Sequence, residues 1–494
     1  MSLKLAGVWC LILQLPSVIQ GGMGVAVSNW RLAKAVSSMG QLGVVSATGI
    51  DTVLVRRLQD GDPGGAVRRA MAAFPLPDIV KSTLARYFEP EGRPAGKPYL
   101  RAPMPTVLDN HVHHALTMLG AFVEVFLAKE GHGGKVGVNL LTKLQLPNLS
   151  ALYGAMLAGV DTVLMGAGIP REVPGALDRL AQHARATFRL DVTERPGQAD
   201  DAPPLAFDPA AFGAAGLAEL KRPDFYPIVS SHSLASMLMK KANGAVQGFV
   251  VEGPTAGGHN APPRSKNQFD DRGQPLYGER DVADLEKVRE LGLPFWLAGS
   301  YGSADGLQRA QAAGAAGVQV GTLFAYARES GIASGLKERV LALIRAGRAT
   351  VFTDPLASPT GFPFKVVALE GTASEEHVYQ ERRRVCDLGY LREVYRDDAG
   401  GFGYRCAAEP VADYVRKGGK VEDTVGRKCL CNALMADVGL GQSRKSRGLE
   451  PALVTSGDDL AAILPLLTAD GSYGAADVVE HLLAGVRAAE AVGA

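Results

Sequence analysis

The stretch "EGPTAGGHN", from Glu252 to Asn260, places two glycines and a histidine at the end of an apolar run. Neighbouring glycines give up side-chain packing, so we expect another group to approach the main chain closely at Gly257 and Gly258. A histidine, with a reference pKa of about 6.5, can take or give a proton at neutral pH. The pattern predicts His259 as the catalytic acid or base. A capping or core role for this histidine is the alternative.

Two glycine-rich turns later in the chain indicate a phosphate site. They are "AGSYGSADG", residues 298–306, and "VGTLF", residues 320–324. Glycine turns that open onto helices leave backbone N–H groups pointing outward, which suits an anion. Alternatively, these glycines only make tight turns. The donors that we predict are Gly299, Ser300, Gly302, Gly321 and Thr322.

The group that carries the phosphate is expected to be a mononucleotide with a flat ring. The segment "GGMGVAVSNW", residues 21–30, lacks the G-x-G-x-x-G spacing of a dinucleotide site. Backbone groups at strand ends suit the edges of a flavin ring. The predicted cofactor-binding residues outside the two turns are Gly22, Met23, Asn139, Ser230, Gly257 and Gly258.

The elements that must position these residues alternate between apolar runs and Ala/Leu-rich helical patterns. Continuous apolar strands between helices predict a parallel sheet covered by helices, and eight of them favour a (β/α)₈ TIM barrel. A doubly wound open sheet is the alternative. The strand candidates are residues 17–20, 42–46, 135–141, 161–166, 226–231, 248–253, 294–299 and 316–321.

Three motifs carry a family resemblance. "QGGMGVAVSNWRLAKAVSSMGQLGVVSATG", "EGPTAGGHN" and "LAGSYGSADGLQRAQAAGAAGVQVGTLF" resemble the FMN-dependent nitronate monooxygenase (2-nitropropane dioxygenase-like) family, over about residues 16–325. The resemblance implies non-covalent FMN, with its phosphate on the last two βα loops and the histidine after Gly-Gly near the substrate. The chain departs from the family in having Thr255-Ala256 where Glu-Ala is commoner, and in about 170 residues beyond the barrel.

The resemblance implies an oxidoreductase that converts alkyl nitronates or nitroalkanes, with dioxygen, to carbonyl compounds and nitrite. The same barrel occurs in NAD(P)H-dependent flavin enoyl-thioester (enoyl-ACP) reductases of fatty acid and polyketide synthesis, which is the alternative. In either reaction the flavin does the redox work. A third interpretation is a non-catalytic flavin-binding subunit of a larger synthase.

Four late cysteines form a second candidate site. Thiolates gathered in a protein of a reducing compartment can hold structural zinc or an iron–sulfur cluster. The sequence predicts metal ligation at Cys386, Cys406, Cys429 and Cys431. Independent buried thiols, or a disulfide or redox pair, are the alternatives, because the spacings are irregular. Cys10 stands apart and is expected in the core.

Other polar clusters are weaker candidates. His111, His113 and His114 resemble a metal group, but only two of them share a helix face, so an exposed helix is the preferred interpretation. His232 could line the site or simply start a helix. The segment 353–366 either closes over the barrel mouth or connects two domains.

The overall composition restricts the classes of partner that the protein is expected to bind. Lys+Arg 52 against Asp+Glu 51 leaves a net charge of +1, which predicts neither nucleic acid nor a membrane surface as partner. We expect the protein to act on small-molecule substrates and to be cytoplasmic, and a homo-oligomer is compatible with the sequence. The predicted domains are a barrel over 1–365 with insertions at about 50–134 and 172–225, an appended region over 366–445 and a helical tail over 446–494. The apolar residues 5–13 are expected to cover the closed end of the fold.

Overall fold

The computed structural model describes residues 15–108, 110–193, 202–265, 267–444 and 448–492. The expectations for Cys10 and for residues 5–13 lie outside this part of the chain. Eight strands of three to six residues form one sheet around the molecule's centre. They are β1 Val18–Gln20, β2 Gly43–Ser46, β3 Val136–Leu141, β4 Thr162–Gly166, β5 Asp224–Val229, β6 Phe249–Glu252, β7 Phe295–Ala298 and β8 Gly317–Val320.

The sheet is a closed parallel barrel, as the apolar periodicity predicts. Its strand order is β1-β8-β7-β6-β5-β4-β3-β2, and every neighbouring pair that shares a ladder is parallel. Ile19 and Leu42 close the ring between β1 and β2, where the Gln20 amide donates to the Leu42 carbonyl at 2.9 Å. The (β/α)₈ prediction is confirmed, and the open-sheet alternative is wrong.

The barrel is filled by large side chains from alternate strands, so it is a packed core and not a channel. Tyr226 and Trp296 stack at 4.8 Å between ring centroids, above Ile19 and Val250. The Trp296 indole donates to the Pro16 carbonyl at 2.8 Å. This bond holds the chain at the amino-terminal end of the barrel, opposite the strand ends that the sequence assigns to chemistry.

Helices surround the barrel and form the first insertion. Several begin at the side-chain caps that helix starts prefer, such as Asn29, Ser231 and Ser303. The described helices of the first 325 residues are Trp30–Ser38, Ile50–Gln59, Ala66–Ala72, Pro77–Tyr87, His111–Lys129, Asn148–Leu157, Val173–Ala181, His232–Lys241, Leu285–Arg289, Ala304–Ala312 and Thr322–Ala325.

The helix His111–Lys129 is a core element, which corrects the expectation of an exposed helix at His113 and His114, whereas His111 is exposed as expected. It packs against Ile50–Gln59 and Asn148–Leu157, and the His113 side chain is 1% exposed. The helix is long and apolar enough to cross a membrane by composition, but most of its surface is buried within the protein. Burial lowers the pKa of His114 to about 4, so this ring is neutral at physiological pH.

The chain after the barrel folds back over the carboxyl ends of its strands. Short antiparallel ladders and small helices replace the βα rhythm, as expected after residue 365. The strands here and in the second insertion are Ala186–Phe188, Val192–Thr193, Leu205–Phe207, Val351–Asp354, Phe364–Val367, Glu393–Arg396, Phe402–Arg405, Ser443–Arg444 and Gly448–Leu449. The helices are Ser334–Arg345, Glu376–Glu381, Val411–Arg416, Leu430–Asp437 and Ala475–Val492.

Candidate active site

A cavity of about 240 Å³ lies at the carboxyl ends of the barrel strands, where TIM barrels carry their chemistry. It gathers residues from loops that are far apart in sequence. Every predicted cofactor-binding residue except Ser230 lines it, together with His259. These residues are Gly22, Met23, Asn139, Gly257, Gly258, Gly299, Ser300, Gly302, Gly321 and Thr322.

The loop after β1 is fixed by buried side chains. Ser28 Oγ accepts from the Met23 amide at 2.8 Å and donates to the Gly21 carbonyl at 2.8 Å. Asn139 donates from Nδ2 to the Gly22 carbonyl at 3.0 Å, which ties this loop to β3. A Cβ on Gly22 would lie 2.1 Å from the Asn139 Cβ, so only glycine fits there. These bonds hold the loop in place at the cavity wall.

The turn after β7 is suited to an anion. Gly299 and Ser300 adopt positive φ angles of 93° and 57°, a conformation in which successive N–H groups point to one side. In the described part of the chain, the N–H groups of Ser300, Tyr301 and Gly302 have no hydrogen-bond partner. Ser303 Oγ caps the next helix by accepting from the Gly306 amide at 2.9 Å. Free backbone donors in the lining of the cavity fit the phosphate of FMN.

His259 lies at the wall of the cavity and is held on two sides. Its Nε2 is 2.7 Å from Ser358 Oγ, and its ring meets Phe364 edge-on at 4.9 Å. Nδ1 has no hydrogen-bond partner among the described residues. Burial, with a smaller effect of the Lys143 charge, lowers the pKa of His259 to about 3. The ring is therefore neutral at physiological pH, and the lone pair of one ring nitrogen is available.

The two glycines before His259 are explained by backbone geometry. A Cβ on Gly257 would lie 2.8 Å from the Gly457 nitrogen, so the late segment could not pack where it does. Gly258 has a φ of 78°, which glycine adopts at low cost. The close approach expected at Gly257 is therefore made by the chain's own backbone.

We expect Gly257→Ala to loosen the late segment from the cavity wall. Because the contacting atoms are backbone, the segment must move, and overpacking of this kind lowers the free energy of unfolding by about 1–3 kcal/mol. Denaturant unfolding measures the change. Gly278→Ala is the matched control, since a Cβ there meets open space. Equal midpoints for the two variants would contradict the packing argument.

Glu252 is a titratable group of the site that sequence reasoning passed over as a strand end. It is the last residue of β6 and lines the same cavity as His259. Burial raises its pKa to about 7, so the carboxyl group is partly protonated at neutral pH. No motif rule singles out one acidic residue at a strand end, and only the depth of burial does so.

The appended chain completes the cavity, which sequence reasoning also missed. Thr455 Oγ1 accepts from the Gly258 amide at 3.0 Å, and the Gly457 amide donates to Thr322 Oγ1 at 3.1 Å. Tyr390 and Cys431 line the opposite wall. The segment 353–366 contributes Phe364 to the cavity lining and Ser358 to the contacts of His259, and the Lys365 amide donates to the Gly258 carbonyl at 2.9 Å. Of the two interpretations of this segment, closure over the barrel mouth is the observed one.

Ser230 lies outside this cavity, in contrast to the prediction. It lines a neighbouring cavity of about 280 Å³ instead. Ser231 Oγ accepts from the Leu234 amide at 3.3 Å and caps the helix His232–Lys241. His232 therefore starts a helix, as the alternative for this residue proposed.

The four late cysteines come together, but not as a metal centre. All four line one small void between the appended helices. Among the residues described, which include these four, no group of His, Cys, Asp or Glu side chains is positioned to hold a metal ion. Burial raises the pKa of Cys386 to about 12 and raises the pKa values of Cys406 and Cys431 well above their usual range, which keeps these three thiols protonated. The predicted zinc or iron–sulfur site is not supported, and buried thiols are the observed state.

Comparison with known proteins finds one matching family model. The model of the nitronate monooxygenase family matches residues 207–357, which include β5 to β8, His259 and the anion turn, residues 299–302. No curated protein matches the chain. The match covers less than a third of the chain and agrees with the resemblance of the two motifs that lie within it, and the chain is an FMN-dependent oxidoreductase.

Several solved structures resemble the chain over nearly its whole length. FabK from Thermotoga maritima is 17% identical with a TM-score of 0.46, covering 97% of this chain and 96% of that one. A nitroalkane oxidase from Streptomyces ansochromogenes is 15% identical with a TM-score of 0.44, covering 98% and 100%. The enoyl reductase domain of MlnA from Bacillus amyloliquefaciens is 12% identical with a TM-score of 0.45, covering 96% and 94%. At these values the likenesses carry no weight for function.

Proposed function

We propose that this chain, an FMN-dependent oxidoreductase of the nitronate monooxygenase type, oxidises alkyl nitronates and nitroalkanes with dioxygen to carbonyl compounds and nitrite. The observation that carries the proposal is the neutral His259 ring at the wall of the cavity, with Nδ1 unpartnered among the described residues. An unprotonated imidazole in a closed cavity can remove the acidic α-proton of a nitroalkane.

The chain's own residues bind and orient in this reaction. The N–H groups of Ser300, Tyr301 and Gly302 would hold the FMN phosphate, and the loop at Gly22 and Met23 would lie along the ring. FMN, when bound, supplies the redox chemistry. Phe364 and the appended chain close the cavity and keep bulk water from the substrate. His259 takes the proton at Nδ1 and holds the resulting nitronate anion by the same hydrogen.

An anaerobic spectrum tests the proposal. We expect the purified protein to show flavin absorbance that is bleached by an alkyl nitronate without any NAD(P)H. Admission of dioxygen should then restore the absorbance and release nitrite. Bleaching by NADPH alone, with no response to the nitronate, would reject nitronate oxidation. A protein that binds no FMN after reconstitution would reject the cofactor as well.

A second candidate, reduction of enoyl thioesters with NAD(P)H, is favoured by one feature. A cavity of about 790 Å³ adjoins the first and shares Ala167 and Leu391 with it. Cationic side chains outnumber carboxylates in the lining of this cavity, which suits a phosphate-bearing cosubstrate. The cations are Lys143, Arg171, Arg189, Lys241, Arg392 and Arg405, and the carboxylates are Glu172, Asp191 and Glu393. The NADPH arm of the spectrum distinguishes this candidate.

A further inference from the structure

A chain of hydrogen bonds leads away from His259 on the side opposite its unpartnered nitrogen. His259 Nε2 is 2.7 Å from Ser358 Oγ, which is 2.8 Å from Thr360 Oγ1. Lys143 Nζ donates to Thr360 Oγ1 at 3.3 Å. Three hydrogen bonds therefore connect a buried ring to an amine in the second cavity. Neither the motifs nor the family resemblance drew attention to Ser358, Thr360 or Lys143 as a unit.

The two hydroxyl groups are held in place for this connection. Ser358 is fully buried, at 0% exposed, and the Thr360 amide also donates to its Oγ at 3.3 Å. Lys143 follows β3, where Thr142 fixes the loop by donating from Oγ1 to the Gly166 carbonyl at 3.0 Å. The Lys143 ammonium lies over the Phe362 ring. Each member of the chain thus has a defined position.

We propose that Ser358, Thr360 and Lys143 form a proton relay that carries the proton taken by His259 to the second cavity. This inference rests on the proposed oxidation of nitroalkanes. The α-carbon proton moves to His259 Nδ1 while the Nε2 proton moves to Ser358 Oγ. The Ser358 proton moves to Thr360 Oγ1, and the Thr360 proton moves to the neutral Lys143 amine. The substrate leaves this step as a nitronate anion and Lys143 as an ammonium ion.

The charges around the two ends explain why a relay is required. Burial and the Lys143 charge lower the pKa of His259 to about 3, so its ring cannot keep a proton at neutral pH. Burial alone lowers the pKa of Lys143 to about 7, so this amine can both accept and release one. The six cations and three carboxylates named above line the cavity beside Lys143. The other titratable groups that line the first cavity with His259 are Glu252, Tyr301, Tyr390, Cys431 and Asp459.

The direction of the hydrogen bonds follows the charge of Lys143. An ammonium group can only donate, so Thr360 then donates to Ser358, Ser358 donates to His259 Nε2, and the ring proton is on Nδ1. A neutral amine can also accept, so every bond can then reverse, which places the ring proton on Nε2. The relay therefore couples the tautomer of His259 to the protonation of Lys143, which an interaction through space would not do.

Steady-state kinetics on two forms of one substrate test the relay. For the wild type we expect kcat/KM on the neutral nitroalkane to fall as the pH falls through about 7, because Lys143 is then protonated. In Lys143→Met and Lys143→Arg the ratio of nitroalkane to nitronate turnover should fall roughly 10- to 100-fold, and the inflection should vanish. Arginine retains the charge but cannot accept a proton. A wild-type profile in Lys143→Arg would overturn the relay.

Thr360→Val and Thr360→Ser form a matched pair that leaves His259 and Lys143 intact. Valine removes the hydroxyl group at nearly constant volume, whereas serine restores it. We expect Thr360→Val to reproduce the kinetics of Lys143→Met, and Thr360→Ser to return towards the wild type. Equal profiles for valine and the wild type would overturn the relay.

Histidine-selective ¹⁵N NMR separates the relay from the proposed function. The His259 signal, assigned by its loss in His259→Ala, should change tautomer near pH 7 in the wild type and not in Thr360→Val. If the wild type turns over neither nitroalkane nor nitronate but the tautomer still switches, the proposed function fails and the relay stands. No switch in the wild type would overturn the relay whatever the activity.

Discussion

His259→Ala should retain FMN and lose turnover of neutral nitroalkanes by about 10²–10⁴-fold, the contribution that a positioned general base makes. The flavin is expected to remain because the anion turn, around residues 299–302, lies apart from the imidazole and keeps its free N–H groups. The preformed nitronate should lose less, since no proton has to be removed from it. Nitrite release under air, at matched flavin content, measures both rates.

His232→Ala is the matched control for this loss. His232 is the other histidine near the barrel mouth, but it starts the helix His232–Lys241 and contacts Ser233, not the cavity. Its replacement should leave both rates near those of the wild type. Unchanged turnover of nitroalkanes in His259→Ala would remove the role of base from His259, and equal losses on both substrates would assign it to binding alone.

Gly302→Asp should weaken the binding of FMN by about 10- to 100-fold relative to Gly302→Asn. The two side chains have almost the same shape, so the difference between them is the charge. A carboxylate among the N–H groups of Ser300 and Tyr301 would repel a phosphate at short range. Two like charges at such a distance repel each other by about 1 kcal/mol in water and by about 4 kcal/mol near a protein surface. Titration of the apoprotein, followed by flavin fluorescence, gives the two dissociation constants.

Riboflavin supplies the internal control, because it has the same ring system and no phosphate. Its affinity should be similar in the Asp and Asn variants if the turn after β7 holds the phosphate. A loss for riboflavin as large as the loss for FMN would mean that the substitution distorts the ring site. Equal FMN affinity in the two variants would place the phosphate elsewhere.

The sequence by itself determined the barrel and most of the cavity lining. Continuous apolar runs such as Phe249–Val251 favour strands buried on both faces, and their number and alternation with helices predict a (β/α)₈ fold. The carboxyl ends of parallel strands meet at one end of such a barrel. Residues at those ends, such as Gly22, Asn139 and His259, are therefore brought together by topology alone.

The tertiary structure alone decided what the appended chain does and which groups titrate. Ser358 and Thr455 contact the glycine–histidine loop from positions 99 and 197 residues further along the chain, and no local pattern encodes such a distance. The pKa values of Glu252, His259 and Lys143 depend on depth of burial, which arises only when these segments close over the barrel. The same desolvation keeps Cys386, Cys406 and Cys431 as thiols, against the metal site that the clustering of the late cysteines in sequence predicts. Local chemistry thus fixed the kinds of group at the site, and long-range packing fixed their protonation.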